Sequence, residues 1–252
     1  KVDGVSTSEW DLSKAVSKIR GPKGTTVILT VLHKDSTSPI DIKIVRDTIT
    51  VKSVDGWIKN VKDINSIKLN PEAIKGKEEE KIVYVRLSQF GDATNQDWVS
   101  LINKLSIQIQ KEKNVRGMIM DLRNNPGGYL TDAVFIASEF LKQGTPVVLE
   151  DSSEKGKITL SVSRKGILYE IPLKVLINKG SASASEIVSG ALKENNRAIL
   201  VGEISFGKGT IQQAEDLGNG AGLHVTIAKW LTPKGVWVNG KGLTPDIQIS
   251  LD

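Results

Sequence analysis

Lys174-Val175-Leu176-Ile177-Asn178-Lys179-Gly180-Ser181-Ala182-Ser183-Ala184-Ser185-Glu186-Ile187 is the stretch whose reading decides the fold. It reads as a buried strand, a small-residue turn and the opening of a helix. That order places serine hydroxyls beside the free backbone N–H groups of a helix N-terminus. The same alternation surrounds it. Ile82 to Leu87 reads as a strand, and Trp98, Leu101, Ile102, Leu105 and Ile109 follow helical spacing, with Thr94 as candidate cap. Gly117–Asp121 is a short buried strand and Ala133–Leu141 an apolar helix. Pro146–Leu149, Val175–Ile177 and Ala198–Val201 are further buried strands, with a Ser183–Asn196 helix between the last two. Strands alternating with helices imply βαβ units and a largely parallel sheet, an α/β class. Gly222–Ala228 alternates as a half-exposed strand should.

The first 52 residues read differently. Trp10, Leu12, Ala15, Val16 and Ile19 follow helical spacing until Arg20-Gly21-Pro22, and Thr25–Leu32 and Ile40–Val45 suggest a strand pair. This small α+β unit is too short for an independent core and looks like the latter half of a module. Residues 53–80 hold Gly56, Asn70-Pro71, Gly76 and most of a Lys77–Lys81 charge run, which together read as a solvated connecting segment. The expected division is therefore 1–52, 53–80 and a core domain over 81–252.

Composition removes several classes of function. A chain of 252 residues has ample length for a core. The charge of +5 comes from Lys and Arg dispersed among 29 acids, without a long basic run, so no nucleic-acid partner is expected. The lack of cysteine excludes a thiol nucleophile, a disulfide framework and thiolate metal sites. No apolar run approaches the roughly 18 residues of a membrane span, and residues 1–20 do not read as a signal peptide. The abrupt opening at Lys1-Val2-Asp3-Gly4 reads as part of something longer.

The candidate chemistry is a serine activated by a base. His33 falls in the small N-terminal unit, and His224 alternates with Leu223 and Val225 on what reads as the opposite strand face. Two histidines so placed suit neither a Ser–His–Asp triad nor a zinc site. Lysine is the base that remains, and Lys208 lies in Gly202-Glu203-Ile204-Ser205-Phe206-Gly207-Lys208-Gly209-Thr210. Free lysine titrates near 10.4, so serving as a base near pH 7.5 costs roughly 4 kcal/mol, within what burial supplies. Ile199–Val201 and Phe206 are the candidate walls of a dry pocket. Without the serine segment, Lys208 would read as a surface loop lysine. Ser183 and Glu186 also fit a capping box, in which serine only satisfies helix N–H groups, and Ser181 or Ser185 fits the functional hydroxyl equally well. The N–H of Ala184 and one from the Asp121–Gly128 turn are candidate oxyanion donors. Gly202-x4-Gly207-Lys208 begins like a phosphate-binding loop, but Gly209 stands where Ser or Thr is needed and no helix follows.

Taken together, Lys1–Gly4 with Ile19–Gly24, Asp121–Gly128, Ser181–Ile187, Val201–Thr210 and the stretch from Ala228 to Asp246 resemble the C-terminal processing peptidases, or tail-specific proteases, across nearly the whole chain. The resemblance implies a crotonase-like and Clp-protease-like α/β core preceded by a PDZ domain, of which only the latter part is present. It implies Ser183 as nucleophile, Lys208 as general base and Gln212 as the residue orienting the lysine amine. The implied oxyanion donors are the N–H of Ala184 and one of Gly127 or Gly128. No metal or organic cofactor is implied. Partners would be protein or peptide substrates with apolar C-terminal tails, and the location extracytoplasmic, in periplasm or cell envelope. The alternative is a peptide-binding module, non-catalytic or in a resting state, that keeps the cleft without cleaving.

Overall fold

The computed structural model describes residues 1–34, 36–48, 52–64, 71–218 and 221–249. They form two compact units, Lys1–Val51 and Lys52–Asp252.

In the first unit, α1 (Leu12–Ile19) is capped by Asp11, whose carboxylate accepts the Lys14 N–H at 2.6 Å. Strands β1 (Thr26–Val31) and β2 (Ile40–Val45) pair antiparallel, from Thr26 opposite Val45 to Val31 opposite Ile40. Arg46 holds these elements together: its guanidinium donates to the Lys18 and Ile19 carbonyls at the end of α1 and to the Thr26 carbonyl. Helix α1 buries none of its residues. Among the described residues, Val2 and Val27 are the buried apolar side chains of the unit.

In chain order the second unit contributes β3 (Val54–Asn60), α2 (Pro71–Ile74), β4 (Lys81–Leu87), α3 (Thr94–Lys111), β5 (Val115–Asp121) and α4 (Leu130–Ala137). There follow β6 (Pro146–Ser152), β7 (Gly156–Ser161), β8 (Leu173–Ile177), α5 (Ala184–Glu194), β9 (Ala198–Gly202), β10 (Thr210–Gly218), β11 (Ala221–Leu231) and β12 (Ile247–Gln248). One sheet has the order β12-β9-β8-β5-β4-β3; its first five strands run parallel and β3 runs antiparallel to β4. A second, antiparallel sheet has the order β10-β11-β6-β7.

Three expectations are corrected. The segment 53–80 is more than a connection, because β3 joins the main sheet in register from Val54 opposite Leu87 to Asn60 opposite Lys81. Pro146–Leu149 belongs to the antiparallel sheet; a short apolar run fits a buried strand of either kind. Thr94 begins α3 but makes no cap bond, its hydroxyl instead accepting the Gly91 N–H at 2.9 Å.

Helices α3, α4 and α5 share one core with the main sheet, in which Val83, Val85, Met118, Met120, Val175 and Ile177 are buried. Trp98 of α3 is fully buried and meets Phe140 edge-on at 5.9 Å. Its indole N–H donates to the Glu139 carboxylate at 3.2 Å. Trp98→Ala therefore removes a large buried ring and leaves a carboxylate short of a donor. A loss of about 3–5 kcal/mol in unfolding free energy is expected, read from urea denaturation.

Candidate active site

Strands β9, β8 and β5 are parallel neighbours, so their C-terminal ends open at one edge of the sheet. That edge is where α/β folds place their sites. The three loops leaving it are residues 203–209 after β9, 178–183 after β8 and 122–129 after β5.

The serine ambiguity resolves by what each hydroxyl reaches. Ser181 is fully buried and donates to the Leu122 carbonyl at 2.8 Å. Ser185 is fully buried and donates to the Asn125 carbonyl at 2.8 Å. Ser183 is half-buried, and its backbone sits at φ 55, ψ −116, a strained conformation for a residue with a Cβ. Ser183 and Glu186 pair as a capping box, the serine side chain turned to the N3 backbone and the Glu186 carboxylate accepting the Ser183 N–H at 2.8 Å. The Glu186 N–H also reaches the Ser183 carbonyl oxygen at 2.8 Å, and the Ser183 hydroxyl, unlike those of its two neighbours, donates to no carbonyl among the described residues.

Glu186 does more than close a helix end. It is fully buried, and its carboxylate accepts four donors from two loops. Oε1 accepts the Ser205 hydroxyl at 2.6 Å and the Gly207 N–H at 2.7 Å. Oε2 accepts the Ser183 N–H at 2.8 Å and the Lys208 N–H at 2.9 Å. One oxygen atom thus binds the backbones of both the serine and the lysine. The S-x-x-E spacing marked Glu186 only as a partner of the helix; its donors from 205–208 are not visible in sequence.

The lysine loop is fixed from its other side by two indoles. Trp230 donates to the Lys208 carbonyl at 2.8 Å and Trp237 to the Gly209 carbonyl at 2.9 Å. The Lys208 side chain is half-buried, and its ammonium has no ion-pair partner among the described residues. The expected dry walls need correction: Phe206 and Ile199 are exposed, and of Ile199–Val201 only Leu200 is fully buried. Gln212 lies on β10 beside a register shift, exposed, its side-chain amide without a hydrogen bond. His33 and His224 are exposed.

The turn after β5 is held by asparagines that sequence reasoning passed over. Asn124 and Asn178 exchange bonds: the Asn124 N–H donates to Asn178 Oδ1 at 2.8 Å and Asn178 Nδ2 donates to Asn124 Oδ1 at 2.9 Å. Asn125 donates to the Leu87 carbonyl at 2.8 Å, and its Oδ1 accepts the Gly127 N–H at 2.9 Å. The Gly127 N–H is therefore engaged, whereas those of Gly128 and Ala184 make no hydrogen bond among the described residues. Gly127 has φ 95, and a Cβ there would lie 2.7 Å from Ser183 Cβ. Gly128 has φ 145, and a Cβ would overlap the Phe90 carbonyl oxygen. Side chains at either position would push the turn off the serine.

Asp121, at the end of β5, is fully buried. Burial opposes its ionisation, but hydrogen bonds from the Arg123 guanidinium, the Tyr84 hydroxyl and the Arg123 N–H outweigh it and hold the carboxyl below its ordinary range. Burial, then the bond to Asp121, pushes the Tyr84 hydroxyl up.

The chain belongs to peptidase family S41, whose model matches residues 81–249. It is 38% identical over 249 residues to the carboxy-terminal-processing protease of Bartonella bacilliformis, covering 99% of this chain and 52% of that protein. It is 33% identical over 250 residues to the carboxy-terminal processing protease CtpB of Bacillus subtilis, covering 98% and 47%. Among solved structures it is similar to a photosystem II D1 C-terminal processing protease, with TM-score 0.66 and 30% identity over 99% of this chain and 62% of that one. The chain thus spans about half the length of the curated relatives it matches.

Two stability outcomes follow from these networks. Glu186→Gln replaces an acceptor with an NH2 group that faces N–H and O–H donors, so unfolding free energy should drop by about 2–4 kcal/mol in urea titration. For Asp121 the folded carboxyl titrates below the unfolded one, so its stabilisation is present above the unfolded value and fades as pH falls through the folded one. The stability gap between the unmodified chain and Asp121→Asn should hold steady above about pH 5 and narrow below about pH 4.

Proposed function

We propose that this chain is a serine endopeptidase acting through a Ser183–Lys208 dyad and an acyl-enzyme intermediate. The observation that carries it is the single oxygen of Glu186 that binds both backbones, beside a Ser183 hydroxyl whose proton is donated to no other group among the described residues. Neutral Lys208 takes the hydroxyl proton as Ser183 Oγ attacks a peptide carbonyl. The lysine then gives that proton to the departing amine, and afterwards activates the water that releases the acyl group. The oxyanion is held by the N–H groups of Ala184 and Gly128, the two that have no other acceptor; Gly127 serves the turn through Asn125. Gln212, whose amide has no other partner, orients the lysine amine. The chemistry uses no metal or organic cofactor.

The substrates proposed are proteins or peptides cut near C-termini with apolar tails, outside the cytoplasm. Family membership and the names of the relatives, carboxy-terminal-processing proteases, support the cutting of peptide bonds near C-termini. No described helix is long and apolar enough to cross a membrane. The opening unit, 1–52, is read as the latter part of a PDZ-like module.

A second reading, a resting state that binds peptide without cutting it, has one observation in its favour. No hydrogen bond joins the Lys208 amine to the Ser183 hydroxyl. Under that reading the dyad assembles only when substrate or a further segment brings the amine inward.

Ser183→Ala and Lys208→Ala should each lower turnover of an unfolded protein at least ~10³-fold, followed by mass spectrometry of products, with circular dichroism unchanged. Full activity in either variant would exclude the dyad. Binding of an apolar-tailed peptide without any product would favour the resting-state reading.

A further inference from the structure

We infer that Phe206 determines specificity at this site, its ring packing against an apolar substrate side chain next to the scissile bond. The inference rests on the peptidase reading and adds to it a substrate class and the residue that selects it.

Phe206 combines a fixed backbone with an exposed ring. Its N–H donates to the Ser181 carbonyl at 2.9 Å, two residues before the candidate nucleophile. On one side, the Ser205 hydroxyl is bound to Glu186 at 2.6 Å and accepts the Leu243 N–H at 2.7 Å. On the other, the Gly207 and Lys208 N–H groups are bound to the same carboxylate at 2.7 and 2.9 Å. Gly207, at φ 86, lies so close to residues 238–242 that a Cβ would come within 2.7 Å of the Gly242 nitrogen. The ring cannot reach the core by backbone rotation without breaking these bonds. Even so, Phe206 is 64% exposed.

A phenylalanine held in water has no polar atom to justify its place. The other exposed aromatics near the site have one in use. Trp237 donates its indole N–H to the Gly209 carbonyl, and the Tyr129 hydroxyl bonds Asp92. Ile204, also exposed, extends the apolar surface on the same loop. This surface lies on the segment that carries Lys208 and is bonded to the segment that carries Ser183. An extended peptide threaded past the serine therefore meets it first, and a leucine-sized side chain there gains roughly tenfold in affinity over alanine.

The test is a binding comparison in the Ser183→Ala background, where no peptide is cut. A fluorescent peptide series, identical except for one position scanned as Leu, Phe or Ala, is titrated by anisotropy. At one position the Leu-to-Ala affinity ratio should be about ten. Adding Phe206→Ala should bring that ratio close to one, and Phe206→Leu should restore most of it, with circular dichroism unchanged in both. A ratio untouched by Phe206→Ala overturns the inference, as does uniform weakening of every peptide, or no apolar preference before the change. Failure of the Ser–Lys chemistry would show only as missing cleavage in the unmodified chain, a separate measurement.

Discussion

A buried carboxylate without a cation must be satisfied by donors, and that requirement at Glu186 organises the site. An isolated carboxylate in a dry interior is prohibitively costly, and each hydrogen bond to it offsets part of the cost. Glu186 meets the requirement with four donors, and none of them is charged. It sits in the first turn of α5, where the helix dipole also favours a negative group. The donors come from the β8–α5 turn and from the loop after β9. Neither segment can shift without leaving a buried oxygen unpaired, so the position of the lysine backbone relative to the serine is set by charge compensation as well as by packing.

Strain at Ser183 has its place in the same network. A non-glycine residue at such dihedrals costs about 1–3 kcal/mol and persists only where its surroundings over-determine it. Here the surroundings do so twice. The Ser183 N–H is taken by Glu186, and the neighbouring Ala182 N–H by the Asn125 carbonyl at 2.9 Å. Asn125 in turn reaches the end of β4 through Leu87, so three strands fix one turn. The Ser183 hydroxyl faces the helix end as part of the capping box but keeps its own proton to give, whereas those of Ser181 and Ser185 donate to carbonyls.

Much of the scaffold was legible because it follows simple periods. The helices of the core domain and the parallel strands are written as apolar spacing, and the strand–turn–helix at Val175–Ile187 is written as small residues after an apolar run. What stayed hidden depends on partners far away in the chain. Three serines share one turn, and only contacts with Leu122 and Asn125, some 60 residues earlier, separate them. Strand β3 was read as connection because Gly56, Asn70-Pro71, Gly76 and the Lys77–Lys81 run punctuate the segment around it. In the structure Gly56 is there for close approach: a Cβ would lie 2.6 Å from the Tyr84 carbonyl oxygen. Phe206 was read as a wall for the lysine on hydrophobicity alone, whereas the bonds around it turn the ring outward.

These constraints also say where freedom remains. The Lys208 N–H and carbonyl are both bound, to Glu186 and to Trp230, and Gly209 is bound through Trp237, so the lysine backbone is held at three successive points. Its four-carbon stem is not. A lysine stem has several soft torsions and reaches different points from one fixed Cα, unlike a short, stiff imidazole. On the proposed reading, assembling the dyad is therefore a rotation of one side chain against a fixed frame. The frame accounts for the backbone geometry of catalysis before substrate arrives, and the stem accounts for why amine and hydroxyl can stand apart without any loop having to unfold.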